Sequence, residues 1–184
     1  VIEPVVFLDH DGVFVDFVGA ALRVHGSALT PEDITYYDMA TIMGITGPEF
    51  WKPIDAAGVE FWRDLPEYPW AEALYTALCS IPAEVVFLTR PSWSWTTIAG
   101  KKMWFDRKFG KGFRNFIPTY RKELLAHHPR CVLVDDSPDN VEGFIKAGGK
   151  AVLFPQPWNG TSVPEGANVV DYIVARVKIA LAPW

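Results

Sequence analysis

Two acids one residue apart, Asp9 and Asp11, follow four apolar residues in the string Val5-Val6-Phe7-Leu8-Asp9-His10-Asp11-Gly12-Val13. The apolar run reads as a buried strand and the acids as the charged turn that ends it. Strand alternation puts Asp9 and Asp11 on one side. Two unit charges about 4 Å apart repel by roughly 4 kcal/mol at an effective dielectric near 20, so a cation or a shared proton is needed to hold both there. A solvated loop that simply carries two acids is the other reading of this stretch taken alone. Two further apolar runs end in reactive residue types: Val85-Val86-Phe87-Leu88 enters Thr89-Arg90-Pro91-Ser92, and Cys131-Val132-Leu133-Val134 enters Asp135-Asp136-Ser137-Pro138. Such carboxylates can act as nucleophile, as general acid and base, or as ligands of a hard cation that takes oxygen donors.

The elements that must bring these residues together alternate. After the first strand, residues 16–25 carry apolar side chains at helical spacing and Gly26 offers a stop. From 27 to 65 the pattern loosens: Thr30-Pro31-Glu32-Asp33 looks like a helix start, Gly44, Gly47 and Pro48 are breaks, and 49–57 reads as a short helix. This segment is dense in aromatics and reads as a small helical insertion. A helix is expected to begin at Glu67-Tyr68-Pro69-Trp70 and run to about Ser80, then a strand over 85–88, a helix over 95–109 and a strand over 113–117. A short polar helix over 120–127 and a strand over 131–134 follow. Ser137 caps a helix with Pro138 in its first turn, and a fourth strong strand at 151–154 and a closing helix over 168–181 complete the chain. Apolar strands alternating with helices imply an α/β fold with a parallel sheet covered on both faces, and ligands in such sheets lie beyond the carboxyl ends of the strands. That rule places Asp9, Asp11, Thr89, Asp135 and Asp136 along one edge.

With 184 residues and 49% hydrophobic content the chain suffices for one core with a sizeable insertion, and a net charge of −5 offers no basic stripe for duplex nucleic acid. Cys79 and Cys131 sit in apolar runs and read as reduced core thiols, although their pairing stays open. No run reaches the length needed to span a bilayer, and residues 1–4 carry neither a basic start nor a long apolar segment, so a cytoplasmic location is expected. The chain opens on Val1 without a methionine, as if something at that end had been removed or left out. A homodimer stays open.

Taken together, Asp9-His10-Asp11-Gly12-Val13, Leu88-Thr89, Lys122 and Asp135-Asp136 resemble the four ordered motifs of the haloacid dehalogenase (HAD) superfamily, over roughly residues 5–159. Within it, the strings DHDGVFVDF (9–17), MWFDRKFG (103–110), VLVDDSPDN (132–140) and FPQPWN (154–159) are similar to the 5'(3')-deoxyribonucleotidase family. The resemblance implies a Rossmann-like HAD core over 1–18 and 66–184 with a helical cap over 19–65. It implies a phosphomonoesterase acting on 5'(3')-(deoxy)ribonucleotides, the partner being a nucleoside monophosphate. Asp9 would attack phosphorus to form an aspartyl-phosphate, and Asp11 would protonate the leaving oxygen and then deprotonate water, for which its pKa should lie nearer neutrality than that of free aspartate. Lys122 and the Thr89 hydroxyl would meet the phosphoryl oxygens. Mg²⁺ would be held by Asp9, the Asp11 carbonyl and Asp135. Phe17, Phe61 and Trp62 would form the substrate wall, with Trp93 facing the same cleft. Arg90 departs from the small polar residue of the nucleotidase pattern, and an arginine there would either add a phosphate or base contact or reject substrates the family accepts.

Around this set, His10 is expected to point away from the acids, and Asp136 to orient the loop or Lys122 from behind the metal. Asp139 and Asn140 either cap a helix or complete the metal shell, and Asp16 is either a helix-start charge or part of the site's rim. A HAD phosphatase for another small phosphate, such as a sugar phosphate, would carry the same motifs. Haloacid dehalogenation needs neither Asp11 nor Asp135, and a non-catalytic binding module would keep repelling acids at a cost in stability.

Overall fold

The computed structural model describes residues 3–128 and 130–182, so Val1 and Ile2 of the opening segment read above lie outside the described residues. Five strands, β1 (Val5–Leu8), β2 (Glu84–Thr89), β3 (Phe116–Pro118), β4 (Cys131–Asp135) and β5 (Lys150–Leu153), form one sheet in the order β3-β2-β1-β4-β5. All pairings are parallel. The first strand in sequence is therefore the middle one in space. In register, Leu8 lies beside Phe87 on one side and Val134 on the other, so the chain leaves β1, β2 and β4 at one level of the same edge.

Period-two alternation divides the apolar strands between two cores. Val6, Leu8, Val85, Phe87, Val132 and Val134 face one side. There they meet α4 (Ala71–Cys79), α5 (Trp95–Phe109) and α7 (Val169–Leu181) through Leu74, Leu78, Trp104, Phe105, Ile173 and Val177. Val5, Phe7, Val86, Leu88 and Leu133 face the other side, against Phe144 of α6 (Pro138–Lys146) and Ala126 of the 3₁₀ turn Lys122–His127. Both faces are covered, as strands without a polar side require.

Between β1 and β2 the chain makes α1 (Phe17–Val24), a 3₁₀ turn at Pro31–Asp33, α2 (Met39–Met43) and α3 (Gly47–Arg63). Gly47 and Pro48, read from the sequence as breaks, form the first turn of α3, whose start is fixed by a capping box. The Thr46 N–H donates to Glu49 Oε2 at 2.8 Å, while the Glu49 N–H donates to Thr46 Oγ1 at 3.4 Å. Gly58 has φ 67° and bends α3 before its last turn. Beyond the bend, α3 lies so close to α5 that a Cβ on Gly100 would sit 2.5 Å from Trp62 Cβ and 2.6 Å from the Val59 carbonyl oxygen.

The strand expected over 113–117 starts later. Phe113 stacks on Phe109 at 4.6 Å and on Phe105 at 5.6 Å, and this aromatic packing holds it out of the sheet. Cys131 is buried as expected, whereas Cys79, at the end of α4, is exposed; both are free thiols.

Candidate active site

The loop after β1 is shaped by one residue. Gly12 has φ 75°, and a Cβ there would run into the Asp136 carboxylate, so only glycine brings the two acidic turns into contact. The turn closes by Phe14 N–H and Val15 N–H bonds to the His10 carbonyl, both 2.9 Å. It is clamped from the far loop by Gln156 Nε2, which donates to the Gly12 carbonyl.

The first charged group centres on Lys122. Its ammonium is 2.8 Å from Asp9 Oδ1 and 2.7 Å from Asp135 Oδ2, with all three side chains buried. Asp135 Oδ1 also accepts the Ser137 N–H at 2.9 Å, and Asn140 Nδ2 donates to both of its oxygens at 3.1 and 3.2 Å. Asp135 is thus fully engaged by its own wall. Asp136 takes the Trp158 indole N–H on Oδ2 at 2.6 Å, and Asn159 Nδ2 donates to its main-chain carbonyl at 2.8 Å. Asp9, Asp135 and Asp136 offer oxygens within 4.8 Å of one another. Burial and the Asp135 charge push Asp9 up to about 7 against the pull of Lys122, and burial with Asp135 and Asp9 pushes Asp136 well above the carboxylate range. Three buried acids around one ammonium are short of positive charge. Hard oxygen donors with that deficit fit a divalent cation such as Mg²⁺.

The second group centres on Lys101 of α5, which is wholly buried. Its ammonium donates to Asp11 Oδ2 and to Thr89 Oγ1, each at 2.5 Å, and lies over the Trp62 ring at 5.3 Å from the centroid. The other Asp11 oxygen is 3.1 Å from His10 Nδ1. Burial works to raise the Asp11 pKa, but the Lys101 charge and the bonds from His10 and Lys101 outweigh it and hold the carboxyl well below its ordinary range. This is the reverse of the near-neutral acid expected from the sequence, and the cause is a cation on another helix. His10 also departs from expectation: it turns toward Asp11, among Trp104, Phe105 and Phe87. Burial lowers its pKa, and among the described residues its Nε2 has no hydrogen-bond partner.

Both groups border a cavity of about 440 Å³. Asp9, Asp11, Gly12 and Asp136 line it together with the aromatics Phe17, Tyr37, Phe50, Trp51 and Trp62 and with Arg90, Trp93 and Tyr120. Trp93 is 89% exposed and stacks on Tyr120 at 4.8 Å, whose hydroxyl donates to the Ser92 carbonyl at 2.8 Å. Trp62 is 1% exposed, stacked on Phe17 at 5.6 Å.

The structure therefore gathers Asp9, Asp11, Thr89, Lys122 and Asp135 at one edge, with Phe17, Trp62, Arg90 and Trp93 on the cavity. Phe61 is not among the lining residues; it packs edge-on against Trp62 and Phe17. Asp136, set behind the metal in the sequence reading, stands with Asp9 and Asp135, while the Asp11 carboxylate faces Lys101. Asn140 orients Asp135, and Asp16 caps α1 by accepting the Gly19 N–H at 2.7 Å. Sequence reasoning missed Lys101 and Tyr37. Lys101 had a legible signal, because Thr97, Lys101, Trp104 and Phe105 share one helical face, and a lysine on an apolar stripe asks for a buried partner.

A parallel sheet with acids at the ends of its central strands and a helical segment inserted after the first is the architecture of HAD-fold hydrolases. The structure of Mycobacterium tuberculosis protein tyrosine kinase A shares the overall fold (TM-score 0.60, 18% identity, covering 95% of this chain and 98% of that one). So does a Deinococcus radiodurans HAD family hydrolase with bound phosphate and sodium (TM-score 0.54, 16% identity, 96% and 88%). A third is a Bacillus subtilis HAD-hydrolase bound to magnesium (TM-score 0.55, 15% identity, 95% and 98%). Residues 3–171 match the family of 5' nucleotidase, deoxy (pyrimidine), cytosolic type C protein (NT5C), and the chain belongs to that family. It is a HAD-type phosphatase of the 5'-nucleotidase kind. No curated protein matches the sequence. Among the described residues no helix is long and apolar enough to cross a membrane.

Proposed function

We propose that this chain is a Mg²⁺-dependent phosphomonoesterase that removes phosphate from 5'(3')-(deoxy)ribonucleotides through an aspartyl-phosphate on Asp9. The observation that carries the reading is a cavity lined both by the acids Asp9 and Asp11 and by aromatics, Phe17 stacked on Trp62 among them, which suits a phosphate joined to a nucleoside. In this reading residues 19–65 are a cap over a core of 1–18 and 66–184.

Asp9 attacks phosphorus; an Asp9 O–P bond forms and the ester P–O bond breaks. The leaving oxygen takes a proton from Asp11, which takes one back from the water that hydrolyses the aspartyl-phosphate. The free site holds Asp11 as the carboxylate, so the proton it passes to the leaving oxygen is the one brought by the phosphate monoanion, and the proton it takes from water leaves with inorganic phosphate. Lys122 keeps Asp9 aligned, and the Thr89 hydroxyl donates to a phosphoryl oxygen. Asp9, Asp135 and Asp136, with the Asp11 carbonyl, would hold the ion, and Lys122 bridges Asp9 and Asp135 beside it. Bound there, Mg²⁺ supplies positive charge against the phosphoryl oxygens. Phe17, Trp62, Trp93 and Arg90 face the nucleoside.

Phosphate release from nucleoside 5'- and 3'-monophosphates and from sugar phosphates, with Mg²⁺ and with EDTA, tests this. Nucleotides should be preferred, EDTA should stop release, and Asp9→Asn should abolish it. Preference for sugar phosphates would replace the substrate, and near-normal release by Asp9→Asn would remove the nucleophile.

A further inference from the structure

Among the described residues, Lys101 is the one fully buried lysine that the phosphoryl chemistry leaves without a task. It lies on α5, 90 residues from Asp11 in sequence, and reaches the site because Gly100 lets α3 and α5 approach closely. Two of its three N–H groups are bonded, one to Asp11 Oδ2 and one to Thr89 Oγ1, and the Trp62 ring lies against the ammonium. Its partner Asp11 lines the cavity, whereas Lys101 stands behind it. An ammonium has no lone pair, so Thr89 is the acceptor in their bond and its own hydroxyl hydrogen is left for another acceptor. Likewise Asp11, caught between Lys101 on Oδ2 and His10 on Oδ1, has its carboxylate plane fixed from both sides.

We propose that Lys101 is a positioning residue for the reaction: it holds the Asp11 carboxylate in the orientation that reaches the leaving oxygen, and turns the Thr89 hydroxyl to donate to the phosphoryl group. The site then has two posts with separate duties. Lys122 serves Asp9 and Asp135, and Lys101 serves Asp11 and Thr89. The inference rests on the phosphoryl-transfer reading above.

The role predicts a dependence on the leaving group that a merely structural lysine would not show. A nucleoside alkoxide must be protonated as it departs, whereas 4-nitrophenolate departs without help, so a misaligned Asp11 harms the first far more. For Lys101→Met, kcat/KM on a nucleoside monophosphate should fall by about 100-fold or more, and on 4-nitrophenyl phosphate by about tenfold or less, matching the pattern of Asp11→Asn. Lys101→Gln, which keeps N–H donors but not the charge, should show the same inequality in smaller measure and serves where the methionine variant does not fold. Equal losses on the two substrates, or a change confined to KM, would overturn the proposal. Failure of the underlying reading would appear elsewhere, as near-normal turnover by Asp9→Asn in the same assay.

Discussion

Replacing Lys122 by methionine removes the one cation bonded to Asp9 and Asp135 while keeping most of the side chain's volume. Both contacts are short, 2.8 and 2.7 Å, and all three groups are buried. At an effective dielectric near 20 each contact supplies roughly 6 kcal/mol of gross attraction. Most of that is offset by taking the ions out of water, so the measurable effect of truncation is the penalty of two carboxylates left unpaired, about 3–5 kcal/mol. For a chain of this size that corresponds to a fall in Tm of roughly 6–20 °C. Since Mg²⁺ brings the same sign of charge to the same acids, it should recover part of the loss, and saturation to 100 times Kd restores about 2.7 kcal/mol. Thermal unfolding of wild type and Lys122→Met, in EDTA and across a Mg²⁺ series, reads both effects. The variant should melt far below wild type in EDTA, and the gap should narrow as the ion is added. A variant that melts within about 2 °C of wild type in EDTA would refute the reasoning, because the acids would then not depend on that ammonium.

Protonation of Asp9 predicts the pH dependence of the metal-free chain. Its folded pKa is raised from 3.8 to about 7, so between those values the folded state holds a proton that the unfolded state has lost. Stability therefore falls as pH rises through that window, by up to about 4 kcal/mol for roughly 3 pH units. Urea unfolding in EDTA should show a more stable chain at pH 5 than at pH 8, and Asp9→Asn should flatten the profile; an unchanged slope in that variant assigns the protons elsewhere. Gly12→Ala combines a backbone penalty at φ 75° with a Cβ driven into Asp136. It should cost about 1–3 kcal/mol and weaken Mg²⁺ binding by at least tenfold in a calorimetric titration, whereas an unaltered affinity would remove Asp136 from the ion's surroundings.

The sheet was legible because its strands are apolar on both faces and stop at abrupt changes of residue type, as at Leu8–Asp9 and Val134–Asp135. Parallel topology then fixes which ends meet, so the Asp9, Thr89 and Asp135 edge follows from pattern alone. What stayed hidden depends on contacts between distant segments. The partner of Asp11 is a lysine on α5, and nothing in the string around Asp11 reports it. The proximity of Asp136 to Asp9 is set by the Gly12 turn and by Trp158, more than 20 residues further on. Helix termini were misread where local chemistry is ambivalent: Gly47-Pro48 breaks a helix from within and starts one from outside, and the Thr46–Glu49 box decides between the two. Phe61 and Trp62 are neighbours of the same chemical type, and only the kinked path of α3 determines which one meets the cavity.

The sheet's outermost strand on the β2 side, β3, spans three residues and ends at Pro118, which lacks an N–H. A row of unpaired amides there would invite a strand from another molecule; so brief a border, closed by an imino acid, gives such a strand almost nothing to bind. The reactive centre can therefore occupy the middle of a largely apolar sheet while the border on this side offers little to a pairing strand.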